Sequence, residues 1–253
     1  MNVPTTWVSL LCLVGFCGQI FGQACDFRVN NRVTNMGSKE DILDGKTLFH
    51  DGLVYDYLGQ CQQVAVFNFE KKVIYILDLQ KREKVRLPMD QVEAYVAEYL
   101  KWGKTNEKPE VRDYMVPKFA INFDNQKNEY SFKSPVLEYQ VIPIKPSRDG
   151  MLEEYRRFAD MSCKVGMMLN PAAKTLPARM IVNEIVFKSG SLIEQLQLEI
   201  EPQRRLFPKK EIFVSHQQYL PRLVESDLAS IRQLEEFIAI YKDVTFAEFR
   251  TER

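Results

Sequence analysis

Few side chains in this chain are placed to do chemistry. There are two histidines, His50 and His216, and beyond residue 24 three cysteines, Cys25, Cys61 and Cys163. A zinc site built on imidazole would need both histidines plus carboxylates, and neither stands in an H-x-x-H or H-x-x-E-H spacing. His50 precedes an Asp51-Gly52 turn and is expected to end a strand at the surface; His216, beside Gln217 and Gln218, is expected mid-strand. Cys163 with a histidine could form a thiol dyad, because such partners are neighbours in space and not in sequence. It falls on the apolar stripe of a helical pattern, however, and buried thiols are inert. No G-x-S-x-G elbow occurs, since Ser189-Gly190-Ser191 follows a helical run where a glycine stop belongs. There is no C-x-x-C pair, P-loop, dinucleotide fingerprint or calcium loop. The chain reads as non-enzymatic, with no metal site and no cofactor.

Charge narrows the partners. Lys plus Arg equals Asp plus Glu at 34 each, so no overall field draws the chain onto nucleic acid or an anionic membrane. The Arg204-Arg205 and Lys209-Lys210 pairs are local and lack interleaved aromatics. On the longest helical pattern Glu153, Glu154 and Asp160 flank Arg156 and Arg157, with Arg156 and Asp160 at i, i+4, as on a solvated salt-bridge face.

The N-terminus departs from this balance. Residues 1 to 24 contain no Lys, Arg, Asp or Glu, and Trp7 to Phe21 form an apolar run broken only by Ser9, Gly15, Gly18 and Gln19. That run is too short to span a bilayer but fits a secretory h-region, with Gly22 and Ala24 as the small residues before a cleavage site. The expected organisation is a signal peptide over 1–24 and a single α+β domain over 25–253. Cleavage before Cys25 also makes GQAC a partial lipoprotein signal, with Gly22 where a Leu-like residue is usual; lipidation at Cys25 would be the sole membrane attachment. The expected location is the periplasm or outer cell envelope, where Cys61 and Cys163 are free to pair if Cys25 is acylated.

The elements that would position these residues are mostly short strands. Asp51-Gly52 is a type I′ hairpin signal, and further breaks at Gly59-Gln60, Glu70 to Lys72 and Gln80 to Arg82 divide residues 46 to 87 into an antiparallel meander of about five strands. Val73, Tyr75, Leu77 and Leu79 share one face and Ile74 and Ile76 the other; both are apolar, so this part of the sheet should be covered on both sides. Asp90 with Glu93 starts a helix that Gly103 should stop. KTNEKPEVRD reads as a polar loop. KFAINFD, EYSFKS and VLEYQVIP form a second, one-sided strand group. A long helix over 150 to 169 with Asp149 as N-cap, a helix from Pro177 to Lys188, strands in LIEQLQLEIEP and EIFVSHQQYL, and an amphipathic helix capped by Ser226 complete the chain.

The run from Gly45 through Leu100, with KTLFHDGLVYDY and VIYILD, together with YRRFADMS, LPARMIVNE and the final helix, resembles a group of uncharacterised exported bacterial proteins. These are distantly similar to the periplasmic lipoprotein-carrier (outer-membrane lipoprotein-sorting) family, chiefly in the D-G-x-x-Y-D element at Asp51 to Asp56. The resemblance implies an α+β fold with a curved, mostly antiparallel sheet, an incomplete barrel, and three to four packed amphipathic helices over an apolar cavity for acyl chains. The leading expectation is binding of a hydrophobic small molecule, a lipid or a lipoprotein acyl chain. The cavity-facing candidates are Phe67, Phe69, Tyr75, Leu77, Phe119, Ile121, Phe123, Tyr130 and Phe132. Alternatives are an envelope interaction module with those rings as ordinary core, and a hydrolase in which a histidine meets Cys163 or paired carboxylates.

Overall fold

Asp51 and Gly52 adopt φ of 48° and 74°, the left-handed pair that a type I′ turn requires, and close the hairpin between β2 (Asp41–His50) and β3 (Leu53–Tyr57). The computed structural model describes residues 25–37, 41–57, 62–171, 175–200 and 211–251; the expected signal peptide, Cys61 and the two basic pairs lie outside them. After β3 come β4 (Gln63–Asn68), β5 (Val73–Asp78) and β6 (Glu83–Pro88), each antiparallel to the last. With β2 and β3 these make the expected five-strand meander. Lys72 and Arg82 hold positive φ in its turns, and Asn68 and Asp78 carboxamide or carboxylate oxygens accept backbone N–H groups there, as Asx turns do.

Twelve strands form one mostly antiparallel α+β sheet in the order β12-β6-β5-β4-β3-β2-β1-β11-β10-β9-β8-β7. The remaining strands are β1 (Phe27–Asn35), β7 (Ala120–Asp124), β8 (Glu129–Lys133), β9 (Leu137–Ile144), β10 (Leu192–Ile200), β11 (Glu211–Leu220) and β12 (Lys242–Asp243). Only the short β12 runs parallel to its neighbour, β6. β1 was not expected. It is the central seam, pairing with β2 on one side and β11 on the other, and so joins the meander to the second strand group.

The helices are α1 (Met89–Thr105), α2 (Pro109–Met115), α3 (Met151–Leu169), α4 (Leu176–Lys188), α5 (Glu225–Ile240) and α6 (Phe246–Thr251). Four are long, as expected, and α2 and α6 are short additions. The polar segment from Lys104 to Asp113 is a loop only over 106–108, because Pro109 opens α2 at the first helical position, where proline is tolerated. Gly103 does not stop α1. It lies inside the helix, where a Cβ would come 2.7 Å from Met115 Cβ, so its role is to let α2 approach. The N-cap of α3 is Gly150, at φ 81°, in place of Asp149. At α5 the cap is Val224, and the group that satisfies the end is Asp227, whose Oδ2 accepts Val224 N at 3.2 Å; Ser226 lies one residue inside the helix. Both observed starts are local: a left-handed glycine opens α3, and a carboxylate three residues on closes the start of α5.

One face of the sheet carries α1, α3, α4 and the large core that includes Phe27, Phe49, Phe67, Phe132, Tyr139 and Phe158. The other face is covered by α5 over β2 to β5, where Leu48, Tyr55, Val64, Val66 and Leu77 meet Ile231, Leu234 and Tyr241. The meander is thus buried on both sides, as its two apolar faces require. α5 is fastened by a buried carboxylate: Asp227 lies 3.3 Å from Arg28 and 3.4 Å from Lys46.

Candidate functional site

Asp56 on β3 and Tyr139 on β9 are five strand positions apart, about 24 Å in a flat sheet at roughly 4.8 Å per strand. Both nevertheless border a single cavity of about 420 Å³ between the sheet and α3–α4, so the sheet bends round toward the helices. Its floor comes from β1, β2, β3, β9, β10 and β11, and its roof from α3 and α4. Period-two alternation puts Val29, Asn31 and Val33 of β1 and Phe213, Ser215 and Gln217 of β11 on the cavity side. The lining is therefore mixed: Val29, Val33, Leu196, Leu198 and Phe158 give an apolar body, and Asn31, Thr47, Asp56, Arg179, Ser215 and Gln217 give a set of convergent polar groups.

These polar groups are held in place. Thr47 Oγ1 donates to Asp56 Oδ1 at 2.7 Å, and Ser215 Oγ donates to Asn31 Oδ1 at 2.8 Å. Gln217 Oε1 accepts from Tyr155 at 2.9 Å and lies 2.6 Å from the Tyr219 hydroxyl, which also reaches the Ile193 carbonyl at 3.0 Å. Arg179 Nε donates to Asn183 Oδ1 at 2.7 Å.

Electrostatics follow from enclosure. Burial pushes the Asp56 carboxyl up to about 6, against the Thr47 hydrogen bond; the residue is half-buried at the cavity edge. Burial raises Cys163 to about 11 and Tyr155 to about 12, with the Arg179 guanidinium opposing both. Arg179 likewise opposes the burial that raises Tyr139 and Tyr219. Its charge therefore lies amid four buried acids. Cys163 is a free thiol at the cavity wall, 4.0 Å from Asn183 Nδ2, and stays protonated at neutral pH.

The nine aromatic and aliphatic residues singled out in the sequence occupy different ground. None lines this cavity. Phe67 is core, edge-on to Phe158 at 5.4 Å, and Phe69 packs beside it under the Arg157 guanidinium. Tyr75 and Leu77 face the opposite way, against α5. Phe119 sits edge-on to Phe132 and Tyr139, and Tyr130 packs between Phe132 and Phe123. Ile121 and Phe123, on the edge strand β7, are 49% and 37% exposed.

The residues that do line the cavity left fainter traces in sequence. Asp56 closes the D-G-x-x-Y-D element and shares a face with buried Val54. Arg179 is a charge beside the fully buried Ala178 of α4. Each is a polar residue in an apolar period, which alternation reads as noise until a third dimension brings them together.

The histidines lie elsewhere. His50 ends β2 as expected, and its Nδ1 is 2.8 Å from Asp26 Oδ2, with Nε2 3.6 Å from Asp51 Oδ2. These three residues could in principle hold an ion, but Asp51 is 80% exposed in its side chain and water competes freely there. His216 is exposed mid-strand, opposite Arg32 and Gln195, and borders a polar groove of about 820 Å³ with Asp44 and Glu194. Neither histidine borders the cavity. Cys25 is buried and unpaired, with a Cβ added at Gly150 meeting it at 3.5 Å. On α3, Arg157 pairs with Glu154 at 2.6 Å and Asp160 with Lys164 at 2.8 Å, in place of the expected Arg156–Asp160 pair. Among the described residues no helix is long and apolar enough to cross a membrane.

No family model matches the chain, and no curated relative does. Among solved structures it is similar to a LolA superfamily protein from Nitrosomonas europaea, at 7% identity and a TM-score of 0.23, over 81% of this chain and 89% of that one.

Proposed function

We propose that this protein binds an amphipathic small molecule in the cavity beneath α3 and α4, without transforming it, as an exported protein of the cell envelope. The observation that carries this reading is the cavity itself, whose volume of about 420 Å³ falls within the range that holds small-molecule ligands. Apolar walls with a few fixed polar groups are what such a ligand needs, the former for binding energy and the latter for orientation. Binding without reaction fits the placement of both histidines away from this cavity and a thiol that burial keeps protonated. Export rests on the apolar N-terminal run and the G-x-A before Cys25.

The test is mass spectrometry on protein recovered from its native envelope, in native and denaturing modes. A bound molecule released on denaturation, from a chain beginning at or near Cys25, is expected. A chain that retains residues 1–24 would contradict export, and an empty protein that also takes up no added amphiphile would contradict binding.

A further inference from the structure

Arg179 is a half-buried cation without a counter-ion at the wall of a half-open cavity. Of the five N–H donors of a guanidinium, the one on Nε is spent on Asn183. Among the described residues no carboxylate stands within ion-pair distance of it, and it has no further protein partner. Its terminal nitrogens are not sealed in protein either, because the one fully buried unpaired side-chain polar atom among the described residues is Arg28 Nε. They open onto the cavity that Arg179 lines with Asn183, Tyr155 and Cys163.

Asp56, the other charged residue of that lining, does not neutralise it. The two side chains form no ion pair: Thr47 holds the carboxyl and Asn183 the guanidinium. The cavity therefore has a cationic end at α4 and a separate carboxyl end at β3, with apolar walls from Leu196, Leu198 and Phe158 beside them.

A half-buried guanidinium with donors to spare beside apolar walls is a ready partner for an oxyanion. We propose that the ligand carries one terminal anionic group on an apolar chain, a carboxylate or a phosphate monoester, and that Arg179, oriented by Asn183, holds that group. This rests on the binding reading above and names the chemistry of its ligand. Arginine suits the task because its planar fork donates two parallel hydrogen bonds to either kind of oxyanion.

The experiment is calorimetric titration of the full chain with dodecanoate, dodecyl phosphate and dodecanol, below the micellar range of each, on the natural protein and on Arg179→Gln and Arg179→Lys. At least one anion should bind about tenfold or more tighter than the alcohol, as charge-assisted hydrogen bonds exceed neutral ones; whichever anion is preferred identifies the head group. R179Q should erase the preference for the anion over dodecanol, and R179K should restore part of it, since lysine keeps the charge but loses the fork. Dodecanol binding as tightly as both anions to the natural protein would overturn the anionic ligand and leave the cavity reading standing. Failure of all three to bind would overturn both. Should R179Q not fold, the comparison of the three ligands on the natural protein still decides.

Discussion

Arg179 on α4 and Asp56 on β3 border the same cavity and do not pair with each other. The carboxyl is held by Thr47 and the guanidinium by Asn183, so two opposite charges border one half-open cavity from a strand and a helix. Such an arrangement gives a site direction that an apolar cavity lacks.

Asp56 makes stability depend on pH in an unusual sense. Its carboxyl titrates near 3.8 unfolded and at about 6 folded, so the folded chain holds the extra proton between those values. The contribution is complete below the lower value and is lost as pH rises through the upper one. Asp56→Asn, which stays neutral, should match the natural protein near pH 4 and exceed it by about 1–3 kcal/mol near pH 7, discounted for cavity water. Urea unfolding at the two pH values measures this, and a variant less stable near pH 7 would show that the carboxylate is favoured where it sits.

The paired tyrosines report on the rigidity of the cavity floor. Gln217→Leu removes the acceptor shared by Tyr155 and Tyr219 and strands the Tyr155 hydroxyl in protein, so it should cost about 1–3 kcal/mol. Tyr155→Phe removes one partner and leaves Tyr219 its Ile193 carbonyl, so it should cost about 1 kcal/mol. Denaturant midpoints with unchanged slopes check the order of the two.

Gly103 tests how α1 and α2 meet. With Met115 Cβ 2.7 Å from any added Cβ, Gly103→Ala must push α2 outward and should cost about 1–3 kcal/mol by overpacking, although alanine is the better helix former. A thermal melt showing stabilisation would mean that α2 yields without cost.

Asp227 fastens the outer layer. Asp227→Ala removes the acceptor for Val224 N and leaves Arg28 and Lys46 facing each other without a carboxylate. Both cations reach some solvent, so the expected loss is about 2–3 kcal/mol and not the larger figure for a fully buried pair. Asp227→Asn keeps the cap and should lose less. Equal losses from the two would assign the effect to the lost charge alone and none of it to the cap.

These residues also show what sequence could and could not supply. The five-strand meander, its Asp51-Gly52 turn and the double coverage of β4 and β5 were legible because turn chemistry and period-two alternation act within a few residues. β1 was not, since FRVNNRVTN alternates weakly and gains its place only by pairing with β11, far along the chain. The helix ends were misplaced for more local reasons: Gly150 caps α3 through its left-handed backbone, Gly103 gives room to Met115 of α2, and Asp227 accepts Val224 N three residues earlier. The aromatics singled out lie on ring-rich faces, whereas the cavity is bounded by other rings, such as Tyr139, Tyr155 and Phe158, and by polar side chains that six strands and two helices bring together.

Whether the space under α3 receives a ligand is decided by filling it. Ala159 lines the cavity from α3 and is 8% exposed, so Ala159→Phe directs a ring toward the void, at an expected cost of about 1–3 kcal/mol where it crowds the core. Titrated with whichever dodecyl amphiphile binds the natural protein best, A159F should bind at least about tenfold more weakly while still melting cooperatively. Undiminished affinity in that variant would place the ligand elsewhere on the molecule and contradict binding in this cavity.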